Sequence, residues 1–492
     1  MQLSDTDLIR LRADLIAVGY LVDDVLDRIG ELGQAGLGRN MTVPADVALG
    51  EATDPLSTLI RLFLLQQSVP ADRLDGVVDA DALVRAGFLS LDGDAVRALV
   101  DVRPYGSPDD GASGWVVSDL TPGLDQIVTP TRPDYVLGVS PASTTLAQIT
   151  MRMPVDTALD LGTGCGVQSL HLGRHAGRVV GTDVNARALE LAAVTAALNE
   201  ADIDLRAGSL YEPVTGERFD LIVSNPPFVM SPPSADGDTL VYREANFEAD
   251  LLVETLVRGA GEHLTHGGSL QLLTNWAVLD QPWEERLAGW VPDGCDAWVI
   301  ERERLDVFSY IEMWLTDAGL AGTHRWRPAY DEWLGYFEKL GISSVGMGWI
   351  QITRAGRDEP HRRFESWPHA VAQPVGDVFA RNASAVDAYR LPTGELLASR
   401  PRLVDVDQET LGRPGAADPE HVIFRQRVGL LRAIKADTAL AAVLGALDGD
   451  LTLAQVIGAV AQVLDVAAAD LAAAVIPEVR QALLDQFLIL EE

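Results

Sequence analysis

The stretch Asp160-Leu161-Gly162-Thr163-Gly164-Cys165-Gly166 closes an apolar run from Val155 to Leu161 and opens a helical one from Val167 to Leu172. Glycines between a strand and a helix let the backbone approach a ligand closely and turn amides toward it. About 20 residues further on, Asp183 closes the next apolar run, where a carboxylate can accept hydrogen bonds from ribose hydroxyls. The spacing G-x-G-x-G lacks the two-residue gap before the third glycine that marks dinucleotide sites, which sets a nicotinamide cofactor aside. Outward from this loop, Arg178 to Thr182, Asp202 to Arg206, Phe219 to Ser224 and Ser269 to Leu273 read as further strands, with helices such as Ala186 to Leu198 between them. Ala297 to Glu301 and Val345 to Thr353 can complete the sheet, and strands alternating with helices build a mostly parallel α/β layer.

At the end of the strand Phe219 to Ser224 stands Asn225-Pro226-Pro227-Phe228. With this motif the chain resembles the class I S-adenosylmethionine-dependent methyltransferases of the NPPY/NPPF group, the HemK/PrmC-like or methyltransferase small domain proteins, over roughly residues 130 to 355. The glycine loop is similar to that group's first motif, Thr182-Asp183-Val184-Asn185 to its acidic second-strand end, and Ser224 to Phe228 to its catalytic element, in the same order. The resemblance implies a Rossmann-like core with a seven-stranded sheet whose last strand is antiparallel. It implies S-adenosyl-L-methionine as cofactor, held by Asp160, Gly162, Thr163, Gly164 and Gly166 at the methionine end and by Asp183 and Val184 at the ribose. Ser209 and Leu210 occupy the segment where many relatives place an acidic residue against the adenine amine. Upstream, Ser143 and Thr144 stand where related enzymes approach the cofactor, or else cap the helix that follows. The implied catalytic set is Asn225, Pro226, Pro227 and Phe228, with Asn225 also facing the cofactor.

That motif has a physical logic. A planar amide or aromatic amine delocalises its nitrogen lone pair and attacks a methyl sulfonium poorly unless the nitrogen is drawn toward tetrahedral geometry. The Asn225 side-chain oxygen and the Pro226 carbonyl can accept its two N–H bonds and aim the lone pair, which is orientation rather than strong-base catalysis. Two prolines stiffen the backbone that presents these acceptors, and Phe228 can lie against a flat acceptor group.

The remaining chain divides by pattern. The 492 residues suffice for roughly three domains. Helical spacing from Ser4, a cap and first-turn proline at Asp54-Pro55, a helix over Asp79 to Phe88 and strand-like runs over Ala95 to Val102 and Gly114 to Asp119 suggest a winged-helix-like module over 1–122. The methyltransferase domain is read over 123–355, an irregular β-rich segment over 356–424, and a small helical module over 425–492 in which Thr452 caps Leu453 to Leu464. His171 and His175 share a helical face without companion ligands, so no metal site is expected. Trp276, just beyond the fifth strand, is the tryptophan expected nearest the acceptor.

Charge bears on partners. Lys plus Arg number 38 against 72 Asp plus Glu, a formal net charge of −34. Residues 1–150 carry 22 acidic against 10 basic side chains, and the densest arginine groups, Arg302 with Arg304 and Arg354 to Arg363, are interrupted by Glu303, Asp358 and Glu359. On this balance a protein side chain such as glutamine, or a small molecule, is expected as methyl acceptor. An adenine N6 or guanine N2 amine in nucleic acid is the disfavoured alternative. A non-enzymatic binding module is the fourth reading, against which the intact Asn225 speaks. Two widely spaced cysteines and the lack of an apolar leader or spanning run lead us to expect a reducing, cytoplasmic location without membrane partners.

Overall fold

The computed structural model describes residues 3–127, 132–233, 247–414 and 421–490. The chain forms two compact units, one of Met1–Ala147 with Pro154–Trp367, the other of Gln148–Met153 with Pro368–Glu492.

The first unit is built on an eight-stranded sheet. Its strands are β1 (Val155–Leu161), β2 (Ala176–Asp183), β3 (Ile203–Ala207), β4 (Phe219–Ser224), β5 (Leu264–Val278), β6 (Asp296–Asp306), β7 (Ser344–Thr353) and β8 (Arg362–Ser366), in the spatial order β3-β2-β1-β4-β5-β7-β6-β8. β1 to β5 pair in parallel, whereas β7 runs antiparallel to both β5 and β6. This is the class I methyltransferase α/β fold, with the antiparallel seventh strand expected and an eighth, β8, added in parallel at the edge beside β6. β8 falls in the stretch read from sequence as irregular. Its neighbour β6 is buried through Ile300, which makes the added pairing favourable.

Helices α1 (Pro141–Ile149), α2 (Val167–Leu172), α3 (Ala186–Leu198), α4 (Leu251–His263), α5 (Trp283–Ala288), α6 (Val307–Asp317) and α7 (Trp326–Leu340) accompany the sheet. Parallel strands buried on both faces must be apolar throughout. Leu159, Ile222, Leu270 and Ile350 accordingly pack with Leu252, Val253 and Leu256 of α4. α6 and α7 are inserted between β6 and β7, whose paired ends Asp306 and Ser344 lie at the edge where β5 also ends, at Val278.

Ahead of the sheet, helices Asp5–Val18, Val22–Leu37, Val43–Leu49 and Ala80–Arg85 adjoin a three-stranded antiparallel sheet with Ala95–Ala98 between Leu89–Asp92 and Val69–Pro70. A separate hairpin pairs Asp101–Gly106 with Ser113–Ser118. The core of these elements is continuous with that of the sheet's helices. Leu11, Leu15, Trp115 and Val117 join one buried cluster with Val167 and Leu170 of α2 and Leu191, Val194 and Leu198 of α3.

The second unit combines the antiparallel strands Val406–Leu411, His421–Gln426 and Ala433–Ala436 with helices including Leu453–Leu464 and Ala468–Leu484. Thr452 caps the former of these helices, accepting from the Gln455 N–H at 3.3 Å. Among the described residues no helix is long and apolar enough to cross a membrane.

Candidate active site

The glycine loop is braced before any ligand arrives. The Gly162 and Thr163 amides both donate to the Thr182 carbonyl at 2.9 Å, tying the end of β1 to β2. Gly162 and Gly164 sit at φ +79° and +55°, and a Cβ at either would project into open space. Glycine is therefore required by the left-handed backbone, and its bareness leaves the cradle open. The Gly164 amide donates to Asp183 Oδ2 at 2.9 Å, and the Asn185 amide to Asp183 Oδ1 at 2.8 Å. Asp160, fully buried beneath the loop, accepts from the Thr163 and Ser169 hydroxyls, each at 2.7 Å. Burial raises its carboxyl to about 6 against the downward pull of those two hydroxyls. Burial also raises Asp183, opposed by the amides of Asn185 and Gly164.

Around this loop lies a cavity of about 510 Å³. Of the residues expected at the site, Asp160, Gly162, Thr163, Gly164, Asp183, Val184, Ser209, Leu210, Ser143, Asn225, Pro226 and Pro227 line it. Gly166, Thr144 and Phe228 do not. Gly166 starts α2 at φ +83°, with Ala192 at 3.4 Å from where its Cβ would be. Thr144 is exposed and its amide donates to the Ser140 carbonyl. Phe228 stands edge-on to Trp314 of α6, ring centroids 6.3 Å apart.

Asn225 supplies the most telling atom. Its side-chain oxygen is buried and has no hydrogen-bond partner among the described residues. An unpaired buried acceptor costs about 1–3 kcal/mol. Such an atom, on the wall of a cavity whose carboxylates Asp160 and Asp183 are satisfied, is suited to receive an N–H from a bound molecule.

Sequence reasoning missed part of the wall. Tyr135, Val136, Leu137 and Gly138 line the cavity from upstream of α1. Asp119 holds this segment, accepting from the Val136 amide at 2.9 Å while pairing with Arg187 of α3. Gly138 is bare for a reason seen only in the fold, since a Cβ there would come within 2.6 Å of the Ser118 hydroxyl. Cys165 also lines the cavity, and burial pushes its thiol up to about 12, so it serves as a small apolar wall. Trp276, the tryptophan expected nearest the acceptor, does not line the cavity. It is fully buried and stacked on Trp283 at 5.3 Å, a core residue rather than an acceptor contact. His171 is engaged by the Tyr105 hydroxyl at 2.6 Å and Asp110 at 2.7 Å.

Residues 138–282 match the methyltransferase small domain family. The chain carries a class I, S-adenosylmethionine-dependent methyltransferase domain. Residues 17–99 match a domain of unknown function, DUF7059. Ribosomal RNA small subunit methyltransferase C from Enterobacter sp. (strain 638) is 41% identical over 126 residues, 25% of this chain and 32% of the relative. The protein of the same name from Cronobacter sakazakii (strain ATCC BAA-894) is 32% identical over 226 residues, 44% of this chain and 59% of the relative. The matched portion is thus a third to three-fifths of these relatives' length. A solved 16S rRNA N2 methyltransferase from T. thermophilus, in complex with AdoMet and guanosine, covers 47% of this chain and 60% of its own at 18% identity, with a TM-score of 0.27. That score is too low to add to the assignment.

The curated relatives correct one expectation. Net charge placed nucleic acid behind protein and small-molecule acceptors, yet both are ribosomal RNA methyltransferases by name. The physical reason is range. Charges on a protein surface are screened within about 8 Å at physiological salt, so a total of −34 does not set the field at one cavity mouth.

Proposed function

We propose that this protein methylates an exocyclic amine of a base in ribosomal RNA, guanine N2 or adenine N6. The observation that carries the reading is the unpartnered Asn225 oxygen on the wall of the cavity that Asp160 and Asp183 also line. The names of the relatives supply the acceptor class.

The residues present suit S-adenosylmethionine: an open glycine cradle, a buried carboxylate at Asp160 for a cationic group, and Asp183 at the end of β2 for ribose hydroxyls. When bound, the cofactor supplies an electrophilic methyl sulfonium. Asn225 and the Pro226 carbonyl accept the two N–H bonds of the acceptor amine, and these bonds strengthen as the nitrogen turns tetrahedral. Phe228 offers a ring to the flat base. Walls from Tyr135 to Gly138 and from Leu252 and Leu256 exclude water from the transfer. The same reading gives residues 1–122 a winged-helix-like form and the work of orienting a large substrate, which their shared core with α2 and α3 makes mechanically direct.

The test is incubation of the full chain with labelled cofactor and ribosomal subunits from cells lacking the gene, followed by nucleoside analysis of digested RNA. Label in N2-methylguanosine or N6-methyladenosine is the expected result. Label confined to protein, or to small metabolites, would overturn the assignment.

A further inference from the structure

Two antiparallel neighbours such as β6 and β7 need only a short turn, yet α6 and α7 are built between them at the edge where Asn225 stands. The inner side of this helical pair is not generic packing. Tyr310, Ile311, Trp333 and Phe337 share a buried cluster with Val229 and Met230, which directly follow Phe228. The Tyr310 hydroxyl accepts the Met230 N–H at 3.1 Å and lies 3.1 Å from the side-chain nitrogen of Asn275 on β5. Tyr310 and Asn275 are both fully buried. Tyr310 also meets Trp314 at 6.1 Å, and Trp314 meets Phe228 at 6.3 Å.

Pro226 and Pro227 have no N–H to donate, so they stiffen the motif without fastening it. The bond from Met230 fastens it from the other side. We infer that Tyr310 is a positioning residue for methyl transfer, holding the Asn225 to Phe228 segment in register with the cavity through the Met230 amide and, by way of Trp314, setting the Phe228 ring. The inference rests on the methyltransferase reading for its kinetic consequence but not for its structural one. Acceptor groups must be held within a fraction of an ångström to act, and misplacement by about 1 Å can cost about a hundredfold.

A second tyrosine on the same pair provides the comparison. The Tyr336 hydroxyl on α7 accepts the Ala249 amide at 3.0 Å, the same kind of bond made outside the motif. Tyr310→Phe and Tyr336→Phe each remove one hydroxyl and keep the ring. With RNA as acceptor, Tyr310→Phe is expected to lower kcat about tenfold or more with KM and cofactor Kd within about twofold, whereas Tyr336→Phe leaves kcat within about twofold. Hydrogen exchange gives a readout independent of activity: Tyr310→Phe should speed exchange at the Met230 amide while Gly162 to Gly166 keep their protection. Should the wild type prove inactive on RNA, the function proposed above fails, and the exchange result still decides this point. Equal kinetic losses in the two variants, a loss in KM alone, or unchanged exchange at Met230 would overturn the inference.

Discussion

The two halves of the cavity are finished differently. On the cofactor half, at the ends of β1 and β2, polar groups are paired within the protein: Asp160 with Thr163 and Ser169, and Asp183 with the Gly164 and Asn185 amides. On the acceptor half, at the end of β4, the Asn225 side-chain oxygen is buried with no partner among the described residues. A paired network is rigid before binding. An unpaired acceptor stores a cost that only the arriving amine relieves.

The largest effect should therefore come from the unpaired side. Asn225→Ala is expected to lower kcat by about a hundredfold or more, with cofactor Kd nearly unchanged, since an acceptor used mainly in the transition state affects turnover rather than ground-state binding. Single-turnover kinetics beside calorimetry separates the two quantities. Asn225→Asp keeps an acceptor oxygen and should retain partial activity. Wild-type turnover by the alanine variant would erase the contrast between the halves.

On the paired side the order reverses. Asp183→Ala strips the Gly164 and Asn185 amides of their acceptor and, on the proposed reading, removes the ribose ligand, so cofactor binding should weaken by about 1–3 kcal/mol, roughly five- to 150-fold. Rates at saturating cofactor should fall little. A variant that binds as the wild type does while kcat collapses would show that the division between the halves is misdrawn.

Much of this was legible because buried parallel strands must be apolar on both faces. β1 and β4 fall on the runs Val155 to Leu161 and Phe219 to Ser224. β5 shows where such reading ends. The apolar run Ser269 to Leu273 predicts only the middle of it, and the strand continues to Val278, which carries Trp276 into the sheet opposite Gly346. A Cβ at Gly346 would lie 2.5 Å from the Trp276 nitrogen and one at Gly348 3.0 Å from its ring, so these two glycines of β7 make room for the indole. That clue lies about 70 residues away in sequence and is read only once register is known. The Tyr310 to Met230 bond spans 80 residues and the Asp119 to Arg187 pair 68. Local periodicity carries no trace of either. Charge misled for the opposite reason, since it is a sum over the whole chain applied to one mouth.

The buried carboxylate sharpens the comparison through pH. Asp160 has its carboxyl raised from 3.8 to about 6, so the folded protein without cofactor holds a proton that the unfolded chain releases near 4. Between those values the folded state binds more protons, and this group's contribution to stability falls as pH rises. A bound sulfonium and ammonium favour the carboxylate, and binding must then release that proton below about pH 6. Cofactor affinity should rise about tenfold from pH 5 to pH 7, with a buffer-dependent heat of proton release, and Asp160→Asn should flatten the profile. A flat wild-type profile would mean that Asp160 is charged before binding.

The smallest effect belongs to Ser143, which sits on both sides of the comparison. It is the third residue of α1, and its hydroxyl accepts the Ser140 amide at 2.7 Å while its own amide donates to the Ser140 hydroxyl at 3.2 Å, a reciprocal cap. Its carbonyl accepts the Gln168 side-chain nitrogen at 2.7 Å, which ties the start of α1 to α2 beside the glycine loop. Ser143 also lines the cavity, whereas the neighbouring Thr144 is exposed. Ser143→Ala removes the capping hydroxyl but leaves the carbonyl and its bond to Gln168, so unfolding stability should drop by about 1 kcal/mol and cofactor affinity by a few-fold at most. Thr144→Ala should change neither. Denaturant titration with and without cofactor resolves the two contributions, because a cap acts on both curves equally while a cofactor contact narrows the gap between them. A narrowed gap in Ser143→Ala moves that hydroxyl into the binding half, and one in Thr144→Ala would mean that α1 turns a different face to the cavity when the cofactor is bound.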